Sequence, residues 1–193
     1  MSSAKTTDLR LSPLLGQRSI LHLGPGKKYD PAAVNIDLVS ATNPDIVHDL
    51  NVRPWPLPDD HFSEVRAYDV IEHLDDVVAV MEEIHRACRD GAVVKITVPH
   101  YSCCNAFTDI THRHYFSVRS FDYFTCDNEF SFYTDCRFRK ARAEIVFFPS
   151  LLNKAVWRLA RRFPVKYERR WAWMFPAWFL HFELVVIKPE TEP

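Results

Sequence analysis

The chain has 193 residues and a formal net charge of −1, with 47% hydrophobic and 13% aromatic residues. This length fits one domain with a sizeable core, and the apolar content excludes a disordered chain. The start lacks the apolar core of a signal peptide, and the five cysteines form no CxxC pair. We therefore expect a single cytoplasmic domain over residues 1–193 with free thiols, in which residues 1–17 form a loose arm.

The small net charge hides an uneven distribution. Between Arg137 and Arg170 there are 11 Lys or Arg residues and only two acids, Glu144 and Glu168, so this segment carries +9. The remainder, with 13 basic and 23 acidic residues, carries −10. The sequence thus predicts a basic, aromatic-rich segment attached to an acidic first half.

The first predicted strand, Ser19–Leu23, ends abruptly in a glycine turn, Gly24-Pro25-Gly26. A second short strand, Val34–Asp37, ends on a carboxylate. Such a turn lets a ligand approach the backbone, and the carboxylate can accept hydrogen bonds from both hydroxyls of a ribose. A tight turn without any role in ligand binding would contain the same glycines, so this alternative stays open. About ten residues separate the two strands, so the first helix has one or two turns at most.

Two further strands are predicted before the first long helix. Asp45–His48 is the third strand, Glu64–Tyr68 is the fourth, and the proline-rich segment Val52–His61 between them is a rigid loop. Ligands of open parallel sheets bind beyond the carboxyl ends of the strands. The residues predicted at such ends are Gly24, Asp37, Asp49 and Asp69.

The helix predicted over Asp75–Arg89 has a continuous apolar face and two acidic residues at its start. Asp90-Gly91 is predicted to end it. Ala92–Val98 follows as a strand that is fully buried by composition.

Seven segments in this order resemble the class I S-adenosylmethionine (SAM)-dependent methyltransferases, specifically their compact small-molecule branch. They are Leu21–Gly26, Val34–Asp37, His48–Leu50, Phe62–Val65, Val70–Leu74, the helix that runs to Cys88, and Asp90–Pro99. The resemblance implies a Rossmann-like α/β fold: a mostly parallel seven-stranded sheet with an antiparallel last strand. It also implies SAM as cofactor and S-adenosylhomocysteine as product. The short first helix departs from most members and reduces the cover over the carboxypropyl end of SAM.

The same resemblance implies which residues meet the cofactor. Asp37 would bind the ribose, Asp49 would face the exocyclic amine of the adenine, and Leu50 would pack on its ring. The complete predicted set is Gly24, Pro25, Gly26, Asp37, Leu38, Asp49, Leu50, Asp69, Val70 and His73.

The loop after the fifth strand, Pro99–Phe124, holds the candidate catalytic residues. It resembles the PH[FY]S…[FY]TDxTHRxxF run of one compact methyltransferase subfamily. Methyl transfer to a hydroxyl or a protonated amine needs a base with a pKa near working pH. We predict His112 as base or acceptor-orienting group, His100 as second choice, and Asp109 as the carboxylate that fixes the tautomer of His112. Arg113 would hold an anionic acceptor. The other predicted substrate contacts are Tyr101, His114 and Tyr115.

Two other interpretations of this loop stay open. His100, Asp109, His112 and His114 have ligand types that suit a metal, but their spacing matches no closed structural site, so we predict no metal. Alternatively, the polar residues only hold the loop together.

The C-terminal third is predicted to contain two strands, Arg139–Phe148 and His181–Lys188, paired antiparallel at the sheet edge. Residues 150–180 between them read as a helical insertion, which would serve as a lid over the substrate. Alternatives are a peripheral membrane contact through residues 154–179 and an oligomer contact, since the sequence does not set the oligomeric state.

The leading functional hypothesis is methyl transfer to an O or N atom of a small acceptor, such as a sugar-linked, lipid-linked or secondary metabolite. The first alternative is a catalytically silent SAM-fold module for binding or scaffolding, and the second is a nucleic-acid methyltransferase that uses the basic insertion. We expect no nucleic-acid partner, because the Asn/Asp-Pro-Pro-Tyr/Phe signature of amino-directed nucleic-acid methyltransferases is missing after Asp69.

Overall fold

The computed structural model describes residues 15–16, 18–126, 131–149 and 151–189. The strands are β1 (Ile20–Leu23), β2 (Ala33–Asp37), β3 (Ile46–Val47), β4 (Phe62–Tyr68), β5 (Cys88–Pro99), β6 (Arg137–Val146) and β7 (Phe179–Ile187). The α-helices are α1 (Val77–Ala87), α2 (Asn105–Thr108), α3 (Leu151–Arg162) and α4 (Pro164–Arg170). Short 3-10 helices are Ser40–Thr42, Ile71–His73, Ser120–Phe124 and Ser131–Tyr133. The predicted arm, residues 1–17, lies almost wholly outside the described residues.

The seven strands form one sheet in the order β3-β2-β1-β4-β5-β7-β6. The strands β1 to β5 are parallel to one another, whereas β7 runs antiparallel to both β5 and β6. The predicted fold class is therefore confirmed. The strand order reverses between β1 and β4, and this is the point at which open α/β sheets bind their ligands.

No helix connects β1 to β2, so the predicted helix of one or two turns is wrong. Residues 24–32 form turns instead, in which Lys28 N donates to Pro25 O at 2.8 Å and Ala33 N donates to Asp30 O at 3.1 Å. The buried amide of Asn35 stabilises these turns, because its Nδ2 donates to Asp30 O at 2.8 Å and to Ala33 O at 2.9 Å. Residues 24–32 therefore connect the parallel strands β1 and β2 without a helix, because hydrogen bonds from the Asn35 side chain stabilise their turns.

Helix α1 is shorter than predicted at both ends. Asp76 caps it, since its carboxylate accepts from Ala79 N at 3.0 Å. The helix ends at Ala87, and Cys88 already pairs with Phe62 as part of β5. Asp90-Gly91, which we predicted as the helix stop, therefore lies within the strand.

The two faces of the sheet differ sharply. One face is apolar and carries the core, with Val65, Val94, Ile96 and Phe182 at most 1% exposed. The residues between these core residues point to the other face, where several are half-buried and charged. There Lys95 pairs with Glu64 at 2.8 Å, and Glu64 pairs with Arg66 at 2.6 Å. The prediction that β5 is fully buried is therefore wrong, because every second residue of the strand faces this polar side.

The insertion joins the core instead of standing apart from it. Helices α3 and α4 pack together, and Ala160 and Tyr167 are buried among the core residues. Tyr167 donates to Phe175 O at 2.7 Å and is only 1% exposed. Helix α3 is only partly buried, since Ala160 is fully buried but Leu159 is 50% exposed. The side chains of residues 151–153 lie outside the described set. Within the described residues, no helix is both long and apolar enough for a membrane span.

Candidate functional site

The glycine turn and the end of β2 meet at the carboxyl edge of the sheet. Gly26 N donates to Asp37 Oδ2 at 2.9 Å, and Val39 N donates to Asp37 Oδ1 at 2.9 Å. A carboxylate has about four lone-pair sites, so each oxygen can accept one more hydrogen bond. Gly26 has a φ of +53°, and a Cβ built on it would meet no atom within 4 Å. The space beside the turn is therefore open, as a ligand site requires.

We expected the glycines of the turn to let a ligand approach the backbone, but at Gly24 the packing of Val70 leaves no room for a side chain. The φ of Gly24 is +55°, and a Cβ there would lie 2.6 Å from Cγ2 of Val70. The residue is required for packing of β1 against the segment after β4. Val70, predicted as a cofactor contact, is thus buried against the turn.

The residues expected beside an adenine are divided between surface and core. Leu38 is exposed at the end of β2, where an apolar ring can pack on it. Asp49 caps a turn by accepting from Asn51 N at 2.9 Å. Leu50 is buried, and its carbonyl accepts from Trp55 Nε1 at 3.0 Å, so its side chain belongs to the core.

Beyond the carboxyl ends of β4 and β5 lies an open cavity of about 690 Å³. Its walls come from the segment after β4, from the loop after β5, and from the start of β7. The lining residues are Asp69, Glu72, His73, Pro99, Asn105, Thr108, Asp109, Ile110, His112 and Phe179. Asp69 has a φ of +55°, a conformation that is rare outside glycine and concentrates at functional sites. Asp69 therefore belongs both to the predicted cofactor-binding residues and to the wall of the cavity.

Glu72 is the residue of the cavity that sequence reasoning missed. It is 1% exposed, and neither carboxyl oxygen has a hydrogen-bond partner among the described residues. Burial raises the pKa of the Glu72 carboxyl to about 8. The available signal was an acidic residue within the apolar run Val70–Leu74, where no partner of opposite charge is near in sequence.

His112 lines the cavity as predicted, but Asp109 does not orient it. Its Nδ1 lies 3.1 Å from Ala106 O, and a carbonyl only accepts, so Nδ1 carries the proton. The unprotonated Nε2 lies 4.0 Å from Glu72 Oε1. A backbone carbonyl, not the predicted carboxylate, fixes this tautomer.

Asp109 instead acts on His73, through Thr111. Hydrogen bonds from Thr111 hold the pKa of Asp109 below its usual range, so its carboxylate is ionised and only accepts. Thr111 Oγ1 donates its proton to Asp109 Oδ1 at 2.6 Å and must therefore accept from His73 Nδ1 at 2.8 Å. His73, predicted as a cofactor contact, thus presents an unprotonated Nε2 in the cavity wall.

His100 lies away from the cavity and is fully buried. Ser102 N donates to its Nδ1 at 3.1 Å, so Nε2 carries the proton and donates to Glu168 Oε1 at 3.2 Å. Both ring nitrogens are occupied by protein groups. The structure therefore gives the second-choice base a structural position.

None of the four predicted substrate contacts lines the cavity. Arg113 pairs with Asp75, and His114 Nε2 lies 2.8 Å from Leu74 O. Tyr101 donates to Glu168 O at 2.8 Å, and Tyr115 stacks on Phe107 with 4.8 Å between ring centroids. Likewise, the insertion contributes only its end, at Phe179, so helices α3 and α4 form no lid over this cavity.

Comparison with known proteins supports the fold and the domain type. Residues 27–96 match the family described as a methyltransferase domain. A SAM-dependent methyltransferase from Archaeoglobus fulgidus is similar, with a TM-score of 0.61, 16% identity, and 91% of each chain covered. One from Mesorhizobium loti gives a TM-score of 0.56 at 14% identity, covering 92% of this chain and 98% of that chain.

A third similar structure is phosphoethanolamine N-methyltransferase 2 from Haemonchus contortus in complex with SAM. The TM-score is 0.53 at 12% identity, covering 93% of this chain and 52% of that one. A search among proteins of curated function gave no match. Residues 27–96 therefore carry a methyltransferase-domain match, and the strand order and the glycine turn facing an acidic β2 end agree with the fold of the SAM-dependent methyltransferases to which the chain is similar.

Proposed function

We propose that this protein binds SAM at the carboxyl edge of β1, β2 and β4 and transfers its methyl group to an O or N atom of a small acceptor. The observation that carries the proposal is the position of the cavity. It adjoins the cofactor edge at Asp69 and is lined on its far side by the unprotonated Nε2 of His112. An acceptor in this cavity would lie between the cofactor and a basic nitrogen.

The residues at the edge fit the proposed cofactor. The remaining lone pairs of Asp37 would accept from the ribose hydroxyls, the open space beside Gly26 would admit the backbone approach, and exposed Leu38 would pack on the adenine. The turns that replace the first helix leave less protein around the carboxypropyl end. These assignments rest on the geometry of this chain and on the resemblance to the family.

Bound SAM supplies a methyl group on a sulfonium: an acceptor lone pair forms the new bond to carbon, the C–S electrons return to sulfur, and S-adenosylhomocysteine remains. The protein's part is positioning, which is worth several orders of magnitude in rate. Pro99 and Phe179 give the cavity an apolar wall, while Asn105 and Thr108 offer hydrogen bonds to a polar acceptor. A cavity of about 690 Å³ suits a metabolite-sized acceptor, which supports a small-molecule substrate.

The test combines cofactor binding with unbiased detection of the acceptor. Calorimetric titration should show micromolar binding of SAM and S-adenosylhomocysteine. Incubation with methyl-labelled SAM and a fractionated cell extract should label the low-mass fraction. Binding without labelling of any fraction would favour the silent module, and labelling confined to nucleic acid or protein would contradict the small-molecule proposal.

We also propose that the exposed tip of the insertion contacts an anionic lipid surface. Trp173 and Met174 are 71% and 67% exposed next to Arg169 and Arg170. Residues 154–179 contain seven Lys or Arg residues and one acid, Glu168, whose carboxylate is bonded inward to His100. Exposed aromatic side chains flanked by cations fit an interface between headgroups and acyl chains.

A further inference from the structure

Glu72 is a buried acidic residue whose carboxyl oxygens have no hydrogen-bond partner among the described residues. A fully buried carboxylate is normally paired or hydrogen-bonded, because an isolated buried charge is strongly unfavourable. Both oxygens of Glu72 lack hydrogen-bond partners in the described part of the chain, and the same cavity holds two further acids, Asp69 and Asp109. No Lys or Arg is among the described lining residues, and the basic groups in the lining are the imidazoles of His73 and His112.

Two imidazoles complete a cluster around it. One ring nitrogen each from His73 and His112 and one carboxyl oxygen from Glu72 all lie within 4.8 Å of one another. The two rings are edge-on at 4.6 Å between centroids. Each Nδ1–H is already committed, to Thr111 Oγ1 in His73 and to Ala106 O in His112. Hydrogen bonds of this kind orient histidines that bind metals through Nε2.

We propose that Glu72, His73 and His112 bind a divalent transition-metal cation, such as Mn²⁺, Fe²⁺, Co²⁺ or Zn²⁺. Two imidazole nitrogens and one carboxylate on one side of a cation leave its other positions open to the cavity. Nitrogen ligands favour these ions over Mg²⁺ or Ca²⁺, which prefer oxygen alone. This set shares only His112 with the four residues considered from the sequence, of which His100 and His114 are bonded elsewhere.

The candidate ligand atoms lie slightly farther apart than the ligands of an occupied metal site. Ligands about 2.1 Å from a cation lie about 3.0–3.4 Å apart, whereas the distance from His112 Nε2 to Glu72 Oε1 is 4.0 Å. Contraction by about 1 Å is within the reach of small side-chain rotations. His73 and His112 lie on an edge open to the cavity, so they can move inward without repacking the core.

The cation deepens the proposed function, on which this second step depends. An acceptor hydroxyl bound at an open position would have its pKa lowered by the cation and would lose its proton to solvent. The resulting oxygen lone pair attacks the methyl carbon, and the C–S electrons return to sulfur. His112 Nε2 is then a ligand and not the proton acceptor, and the substrate class is a hydroxyl compound.

The experiment measures the cation directly, without turnover. Protein purified without metal-affinity steps is treated with a chelator, dialysed, and titrated with Co²⁺ while visible absorption is recorded. Wild-type protein should bind one equivalent and develop d–d bands. Glu72→Gln and His112→Gln should each weaken binding at least tenfold, whereas His85→Gln should not, because His85 does not line the cavity and its Nε2 lies 2.9 Å from Ile187 O.

A melting experiment separates a ligand from a merely structural residue. Glu72→Gln replaces a buried carboxyl group without a hydrogen-bond partner by an uncharged amide of similar size, so without cation it should melt near the wild-type temperature. Added Co²⁺ should raise the melting temperature of wild type but not of Glu72→Gln. No saturable Co²⁺ binding by wild type, or equal binding by Glu72→Gln, would overturn the proposal. Since SAM titration is run on the same samples, loss of SAM binding with intact Co²⁺ binding would count against the proposed function alone.

Discussion

The carboxylate of Glu168 on α4 lies 3.2 Å from Nε2 of His100 and also accepts from Val118 N at 2.6 Å. Through these two bonds the insertion is fastened to the loop after β5. Ser102 adds a third connection, because its Oγ accepts from Ala177 N at 3.1 Å. The loop and the insertion are therefore joined by hydrogen bonds, and among the three histidines of the loop His100 and His112 have different roles.

His100→Ala should destabilise the protein without slowing it. The change leaves a cavity and removes the partner of a part-buried carboxylate, which costs about 2–4 kcal/mol. We expect a lower free energy of unfolding but near wild-type turnover per folded molecule, measured by denaturant titration and by S-adenosylhomocysteine release. A rate loss above about tenfold at unchanged stability would show that His100 acts in the chemistry.

His112→Ala should give the opposite result. Its Nε2 faces the cavity, so its loss should reduce turnover about 10²–10⁴-fold, whether that atom meets the acceptor or a cation. SAM affinity and melting temperature should change little. His114→Ala is the matched control, since that ring sits two residues away and faces the Leu74 carbonyl. Equal turnover of both variants would remove His112 from the site.

Asp37→Ala should weaken SAM binding about ten- to hundredfold, because two ribose hydroxyls would lose their charged acceptor. The carboxylate also holds Gly26 N and Val39 N, so part of the effect will come from a looser turn. Asp135→Ala is a suitable comparison, since that residue is exposed and lies outside the predicted cofactor set. Calorimetry that finds wild-type affinity in Asp37→Ala would place the ribose elsewhere.

Stability should depend on pH through Asp45. Its carboxylate accepts from Arg18, Tyr29, and both the backbone and side chain of Asn35, at 2.8–3.0 Å. Burial alone would raise the pKa of Asp45, but these hydrogen bonds outweigh it and hold the pKa below its ordinary value. The stabilisation is therefore present above the unfolded pKa of about 3.9 and is lost as pH falls through the folded pKa.

Accordingly, Asp45→Asn should cost about 2–4 kcal/mol at pH 7, and its difference from wild type should shrink below about pH 4. Chemical denaturation at several pH values measures this. Asp135→Asn, at an exposed position, is the control. A difference that does not change between pH 7 and pH 3 would mean that the charge of Asp45 contributes nothing.

The insertion tip should retain the protein on vesicles containing anionic lipid at low salt and release it at high salt. Trp173→Ser combined with Met174→Ser should weaken binding at every salt concentration, because it removes apolar contact without changing charge. Phe132→Ser, at another exposed position, tests for non-specific adhesion. Binding that is equally strong to neutral vesicles would contradict the charge-based part of the proposal.

The sequence predicted the sheet well because local signals there agree with tertiary ones. The strands from β1 to β5, their glycine turn and the acidic end of β2 are short patterns whose meaning does not depend on distant residues. Helix α1 was predicted too long because pairing of Cys88 with Phe62, 26 positions earlier, overrides the helical pattern.

The candidate site was harder to predict because it depends on long-range hydrogen bonds. The bond from His100 to Glu168 spans 68 positions, and that from His73 to Thr111 spans 38. Asp109 was identified as an orienting carboxylate, but its partner could not be known before the fold brought Thr111 against His73. Glu72 was missed because an acidic residue in an apolar run is usually solvent-facing, and only the fold shows that this one is buried.

The charged side of the sheet has a consequence for how the protein behaves in a crowded solution. Asp30, Arg66, Glu64 and Lys95 form a continuous chain of ion pairs across β4 and β5, and Arg142 reaches Glu183 across β6 and β7 at 3.6 Å. A broad, flat strand surface without such charges would be an adhesive patch for a second copy. A second copy would have to displace the water around these ion pairs before it could pack on the strands. We therefore expect this face of the sheet to disfavour self-association.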